Sequence, residues 1–375
     1  MKTSNIALAI ALSCAALAAP ASASITFTLT DLGTLGGASY AYGINNSGQI
    51  AGSSGGGTGL TGVAWTDGSA GALGKLGSKA SQANGLNNLG HAVGYSGLDG
   101  NPSTVRATLW SNGTTTNLGS LGGNLSYAND INDHGQVVGY SNTASGTEYS
   151  AFVWQNGTMS DLGTLGGNYG YAQGINNSGQ IVGVSATSTG AQRATLWNNG
   201  SVTDLGTLGG NFSYAYGVNE AGLVVGYSGI ADNANARHAT LWDNGSLLDL
   251  GVLADGARSE AYGINIHGQV VGYSGIGSDN LAVNNRAFLW DNGEMLDLNS
   301  LIDPSLGWTL RRAEAINDAG QIVGYGIVDG QTRAFLLTAM PTAAVPEPAT
   351  WAMMIAGFAL AGGAMRRRAL NVRFA

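Results

Sequence analysis

One unit of 41 to 48 residues recurs seven times, and no other property of the chain restricts its fold as strongly. The units begin on an Asp-Leu-Gly-like start at Asp31, Ala72, Asn117, Asp161, Asp204, Asp249 and Asp297. Each continues through a Gly-Ile-Asn-like step at Ile44, Leu86, Ile131, Ile175, Val218, Ile264 or Ile316, with Asn one residue later and Gly four later. A Val-Gly-Tyr-Ser-like run follows. Next comes an aromatic position, Trp65, Trp110, Trp154, Trp197, Trp242 and Trp290, with Leu336 in the seventh unit. Stacked repeats bury their apolar faces against their neighbours. The recurrent tryptophans are therefore expected to fill the interfaces between units rather than to act as sugar-stacking platforms.

Turn chemistry divides each unit into four short strands, a to d. Tyr40-Ala41-Tyr42-Gly43-Ile44 and Gln49-Ile50-Ala51-Gly52 flank Asn45-Asn46-Ser47-Gly48, a hairpin loop with Gly where a positive φ is needed. Strands c and d meet at Asn112-Gly113, and the dipeptide recurs at Asn156-Gly157, Asn199-Gly200, Asn244-Gly245 and Asn292-Gly293, with Asp67-Gly68 in the first unit. Four antiparallel strands per unit match propeller blades, whereas one coil of a β-helix is roughly half as long. Ile25 to Thr30 alternates like a strand d with nothing before it, and Arg333 to Leu337 reads as a strand c with no d behind it. Pairing the two would close a ring and cover two sheet edges. The expected fold is all-β, a seven-bladed β-propeller of four-stranded blades over residues 24–338, closed by the N-terminal strand on the last blade.

The two ends carry targeting signals. Lys2, an apolar run from Ile6 to Ala19, Pro20 and the small residues Ala21-Ser22-Ala23 form a helical signal peptide over residues 1–23, cut between Ala23 and Ser24. A lipoprotein signal through Ala11-Leu12-Ser13-Cys14 would leave a very short apolar core. Residues 339–348 form a linker ending in Pro346-Glu347-Pro348. Residues 349–375 hold an uncharged run, Ala349 to Met365, and then Arg366-Arg367-Arg368. The run just reaches the length of a transmembrane helix, and the arginines would hold its end in the cytoplasm. This tripartite tail resembles the PEP-CTERM sorting signal. The resemblance implies that Pro346, Glu347 and Pro348 are read by an exosortase-type transpeptidase after signal peptidase has acted. The protein would then be exported to the cell envelope or extracellular matrix of a Gram-negative-type bacterium, anchored transiently in the inner membrane.

The repeats themselves, with Arg286-Ala287-Phe288-Leu289-Trp290 and Asp-Leu-Gly-Thr-Leu-Gly-Gly as their marks, resemble the HAF family of extracellular repeats. The first unit departs with Gly62-Val63-Ala64-Trp65 and the seventh lacks the Trp. The family brings no activity with it.

Composition excludes several functions. Cys14 is the single cysteine and lies in the signal, so the exported chain has no disulfide, thiolate nucleophile or Cys-ligated zinc. Residues 24–345 hold ten Lys and Arg against 22 Asp and Glu, a formal balance of −12, which disfavours nucleic acid. His134 and His267 fall in the a-b turn, His91 just after it and His238 before Ala239, without the spacing of a metal site, so no metal centre is expected. Arg106, Arg193, Arg286 and Arg333 share one strand-c position, and Asp161, Asp204, Asp249 and Asp297 open the connection that follows. Cross-strand pairing or capping accounts for them. No Gly-x-Ser-x-Gly elbow, P-loop or His-Glu-x-x-His occurs, and the acidic pairs are expected to have repeat-wide counterparts.

What varies between units is the b-c connection, so the rim that carries it is the expected binding surface. Its oxygen-rich loops at Asp232, Asn233 and Asn235, and at Asp279, Asn280, Asn284 and Asn285, could hold sugar hydroxyls or calcium; no other cofactor is indicated. The expected function is a non-enzymatic surface or matrix protein that binds exopolysaccharide or a surface protein. The competing class is an extracellular polysaccharide hydrolase or lyase on the same scaffold.

Overall fold

Each Asn-Gly pair turns the chain through two successive left-handed residues, Asn112 at φ 50° and Gly113 at 75°, Asn244 at 45° and Gly245 at 90°. That geometry matches the right-handed twist of the flanking strands and fixes the c-d hairpin. The computed structural model describes residues 25–340 except 57–58, 67, 100–102, 146–147, 232, 255 and 277–283, together with Ile355 and Phe358. The signal peptide, the Pro-Glu-Pro motif and Asp67 lie outside the described residues. Among those described, no helix is long and apolar enough to cross a membrane, so the helical signal and the transmembrane tail gain no structural support.

Thr26–Ala339 form one compact unit, a β-propeller of four-stranded antiparallel meanders. Repeat 5 is representative, with strand a at Gly209–Val218, b at Val224–Ile230, c at Asn233–Asp243 and d at Ser246–Gly251. The sheet count corrects the expectation of seven separate blades. Five four-stranded sheets stand alone, and repeats 2 and 3 share one eight-stranded sheet. A single parallel bridge, Val105 to Leu125, merges them where strand c of repeat 2 runs beside an extended strand a of repeat 3. The strand Phe27–Asp31 pairs antiparallel with Gln331–Ala339, from Phe27 opposite Ala339 to Asp31 opposite Phe335, and supplies the fourth strand of the last sheet. Short 3-10 turns at Leu298–Leu301 and Pro304–Leu306 carry the longer connection into repeat 7.

Packing is pairwise, because each short sheet can bury its apolar faces only against its neighbours. Trp65, Trp110, Trp197 and Trp242 are buried, and each lies in a cluster drawn from two neighbouring repeats. The Trp65 cluster joins Val323 and Ala334 of the last repeat to Ala41 and Ile50 of the first, which completes the circle. Serine fastens the d-a connections. Ser54, Ser141 and Ser228 each accept the backbone N–H of the leucine in the Leu-Gly-Gly turn, at 2.9, 2.9 and 2.8 Å.

One seam is underfilled. A cavity of about 310 Å³ between repeats 1 and 2 is lined by Ala64, Leu73, Ala92 and Trp110. Ala64 occupies the register position held elsewhere by Leu109, Val153, Leu196, Leu241, Leu289 or Leu336; the tryptophan place of the seventh repeat is therefore held by Leu337, opposite Ile322, and not by Leu336 as the repeat spacing suggested. Ala64→Leu is expected to stabilise the ring by about 1 kcal/mol through cavity filling. Thermal unfolding checks this; a lower Tm would show that the seam cannot admit the side chain its sister seams hold.

Candidate functional site

Strand a is the innermost strand of every repeat, and its side chains surround a common axis. At the a-b turn end the axis begins with a closed hydrogen-bonded collar. Asn45 donates through Nδ2 to the carbonyl of Asn87, Asn87 to Asn132, Asn132 to Asn176, Asn176 to Asn219, Asn219 to Asn265, Asn265 to Asn317, and Asn317 back to Asn45, at 3.0 to 3.2 Å. Seven repeats thus contribute one asparagine each to a circle without a gap. A second relay lies beside it, in which the N–H of Asn46 donates to Asn88 Oδ1, that of Asn88 to Asp133, and that of Asp318 to Asn46. Ile266 has no acceptor to offer the preceding repeat, so this relay breaks there.

Along the axis from the collar lie two adjacent cavities of about 180 and 220 Å³, which share Ile44, Leu86, Asp130, Val218, Ile264 and Ile316 in their walls. The larger is ringed by one position from all seven repeats: Tyr42, Asn84, Asn129, Gln173, Tyr216, Tyr262 and Glu314. Two residues earlier on each strand stand Tyr40, Gln82, Tyr127, Tyr171, Tyr214, Glu260 and Arg312. Thirteen of the fourteen tyrosines lie on strands a and b, and Tyr149 joins them by contacts with Tyr140 and Tyr171 at 5.4 and 5.8 Å between centroids. Burial pushes the Tyr140, Tyr214 and Tyr262 hydroxyls well above their ordinary range, so they remain neutral hydrogen-bonding groups.

Strand a is uneven between repeats, which corrects the expectation that the acidic pairs have repeat-wide counterparts. Glu260 and Glu314 stand where other repeats carry Tyr, Gln or Asn. Glu260 accepts from Arg237 Nε at 2.5 Å, from the Tyr273 hydroxyl at 2.7 Å and from the Tyr262 hydroxyl. Arg312 Nε lies 2.7 Å from Glu314 Oε1, and its guanidinium covers the Tyr262 ring at 3.8 Å. Burial raises the Glu314 carboxyl, with Arg312 pulling the other way. Burial also works against the Arg312 charge, yet Glu314 and the surrounding groups hold its pKa well above the usual guanidinium range.

Asp130 is the third departure. The equivalent residues are Gly43, Gly85, Gly174, Gly217, Gly263 and Ala315. Its carboxylate accepts the N–H of Ile131 at 2.8 Å and of Ile175 at 3.0 Å, and burial pushes it up to about 7 against those two bonds. A carboxyl raised in the folded state binds its proton more tightly there than in the unfolded chain. Asp130 therefore takes stability away as pH rises from about 4 to about 7, and no more above that. Asp130→Asn should flatten this component, gaining roughly 1 kcal/mol relative to the parent at pH 8 over pH 5. That is about half the nominal value, because the group borders an open cavity. Paired melts at the two pH values test it; parallel curves for parent and variant would show that Asp130 is not the group responsible. Asp133 is lowered by its bonds from Asn88 and Asn177 despite burial, and it cancels in the comparison.

The positions expected from the repeat pattern have structural duties. Arg193 pairs with Asp204 at 3.5 Å, Arg286 with Asp297 at 2.9 Å, His238 with Asp249 at 2.8 Å, and Arg333 lies 4.0 Å from Asp31. Asp161 and Asp204 also accept the N–H two residues on, at 2.8 Å. Arg106, whose partner position is Asn117, donates instead to the carbonyl of Asn124. Of the loop residues, Asp232, Asp279 and Asn280 lie outside the described residues, and Asn233 and Asn235 are described by backbone alone, within strand c of repeat 5. Asn284 is exposed. Asn285 is buried, where its carbonyl accepts from Arg311 at 3.4 Å and its Oδ1 lies 3.5 Å from Arg258 Nη2. Among the described residues no three His, Cys, Asp or Glu side chains are grouped to hold a metal ion. The sequence signal for the channel was the i, i+2 alternation of Tyr, Gln and Asn on strand a, broken by charge at Glu260, Arg312 and Glu314, with Asp130 at a position that is glycine in most repeats.

Residues 344–368 match the PEP-CTERM protein-sorting motif, which places the chain among exosortase-sorted, exported envelope proteins. The HAF-type resemblance of the repeats has no such match beside it. No curated protein matches the chain. Among solved structures, TolB from Acinetobacter baumannii is 11% identical over 66% of this chain and 63% of that one, with a TM-score of 0.39. AofleA from Arthrobotrys oligospora is 11% identical over 72% of this chain and 88% of that one, at 0.41. The PQQ-bound aldose sugar dehydrogenase from Streptomyces coelicolor is 11% identical over 85% and 99%, at 0.39. The chain spans less than two thirds of TolB, and no function is transferred from any of these likenesses.

Proposed function

We propose that this chain is a HAF-type surface or matrix protein of a Gram-negative-type bacterium, held briefly in the inner membrane before exosortase processing. Its seven repeats act as one ring that binds carbohydrate without transforming it. The axial channel carries the proposal: tyrosine faces, neutral hydroxyls and side-chain amides converge on one cavity. Aromatic faces with a few fixed polar groups are the usual chemistry of small-ligand sites. The b-c rim supplies outer contacts, with Asn285 tying the repeat 6 loop to strand a of repeats 6 and 7. Titrating the exported protein with the producer's exopolysaccharide tests the reading, and a flat response would sink it. Replacing the loop from Ser274 to Asn285 with a short Gly-Ser turn should weaken retention on that polymer if the rim contributes.

A hydrolase or lyase is the second reading, favoured by one observation, the buried carboxyl Glu314 on the cavity wall, raised by burial and by the neighbouring charge of Glu260. It predicts new reducing ends when the polymer is incubated with the protein, abolished by Glu314→Gln.

A further inference from the structure

We propose that the wall of the axial channel built by repeats 5 to 7 is a subsite for one neutral sugar unit of a glycan. The inference rests on the carbohydrate reading above and deepens it.

The repeats provide their own control. Five of them build the inner strand with Tyr or Gln where repeat 6 has Glu260 and repeat 7 has Arg312, and the ring closes equally well around all. Burying carboxylates and guanidinium groups exacts a desolvation penalty that the uncharged residues avoid. The scaffold does not require these charges; Glu314 lines the cavity, and Arg312 and Glu260 hold Glu314 and Tyr262 in its wall, so their concentration there points to a ligand.

Charge balance decides the class. Arg237 is paired with Glu260 and Arg312 with Glu314, leaving no net charge on the cluster. A cationic ligand would seek the Tyr262 face, but the Arg312 guanidinium already covers it at 3.8 Å. An anionic ligand would meet Glu314 and Asp130 in the same cavity. A neutral polyhydroxylated ring suits what remains: the Glu314 carboxyl, already paired with Arg312, and amides such as Gln173 for its hydroxyls, and the Tyr42 and Tyr216 rings for its C–H faces. At about 220 Å³ the cavity is smaller than the roughly 300–1,000 Å³ of drug-sized sites, which limits the occupant to about one ring.

The test is calorimetric titration of the exported protein with oligosaccharides of neutral hexoses, of hexuronates and of deacetylated aminosugars. Neutral oligomers should bind best, and the double variant Arg312→Gln, Glu314→Gln should weaken them at least about tenfold. Asn84→Trp fills the opposite wall without touching the charged cluster and should weaken binding similarly; it decides the matter if the double variant does not fold. Preference for hexuronate or aminosugar, or neutral binding unchanged in the folded variants, overturns the subsite while glycan binding stands. Failure of all three classes to bind overturns the carbohydrate reading itself.

Discussion

Gly226→Ala is expected to leave little folded protein, with a loss of at least about 4 kcal/mol. Strand a of repeat 5 carries a bulge between Ala215 and Gly217, and its backbone crowds the facing residue of strand b. A Cβ on Gly226 would stand 1.9 Å from the Tyr214 carbonyl oxygen and 2.8 Å from the Ala215 Cα, both backbone atoms that cannot rotate away. The same contact recurs at Gly52, Gly94, Gly139, Gly183, Gly272 and Gly324, at 1.9 to 2.0 Å, which is why the Val-Gly-Tyr-Ser run keeps its glycine in every repeat. Gly245→Ala is the control. That residue has φ 90° with nothing near its missing Cβ, so the substitution meets only backbone strain of about 1 kcal/mol. Denaturant melts of the two variants separate steric exclusion from glycine flexibility; similar losses at both sites would refute the bulge argument.

Asn132→Ala should destabilise the ring by about 3 kcal/mol, the second-largest effect. Asn132 is buried and makes four hydrogen bonds, donating to Gln136 Oε1 at 2.7 Å and the Asn176 carbonyl at 3.1 Å, and accepting from the N–H groups of His134 and Gln136 at 3.1 and 3.0 Å. Removing the side chain leaves several buried partners unsatisfied, which costs more than a hydrogen bond contributes when made. Asn132→Asp refines the test. The carboxylate keeps both acceptor roles but faces two oxygens where the amide donated, so it should be at least as damaging at neutral pH and partly relieved in acid. If the Asn132→Asp variant melted like the parent, the collar would not depend on its donors.

The sequence left the asparagine's duty open. It showed Asn after every Gly-Ile step, and a turn residue was sufficient reason for it. What makes Asn obligatory is a carbonyl some 42 to 52 residues further along the chain, or 272 residues away at the closure, where Asn317 meets Asn45. Similarly, the Arg and Asp of strands c and d were legible as a pair because antiparallel register sets them opposite each other locally. Glu260, Arg312 and Glu314 were not, because Arg312 and Glu314 lie 52 and 54 residues beyond Glu260 and become its neighbours only when strand a of each repeat is innermost.

By itself the sequence determined the repeat period, the four strands, the two-residue turns, the orphan first strand and the tail that directs sorting. All are local: they depend on positive-φ glycines, alternation and a contiguous motif, each readable within one unit. The tertiary structure alone decided that two repeats share a sheet, that seven asparagines form one circle, and that Tyr42, Tyr216, Tyr262, Asp130 and Glu314 face one axial cavity. Those facts depend on how seven similar surfaces meet around an axis, and the axis has no place in the linear order of residues. The channel's unevenness is visible only when equivalent positions are set side by side.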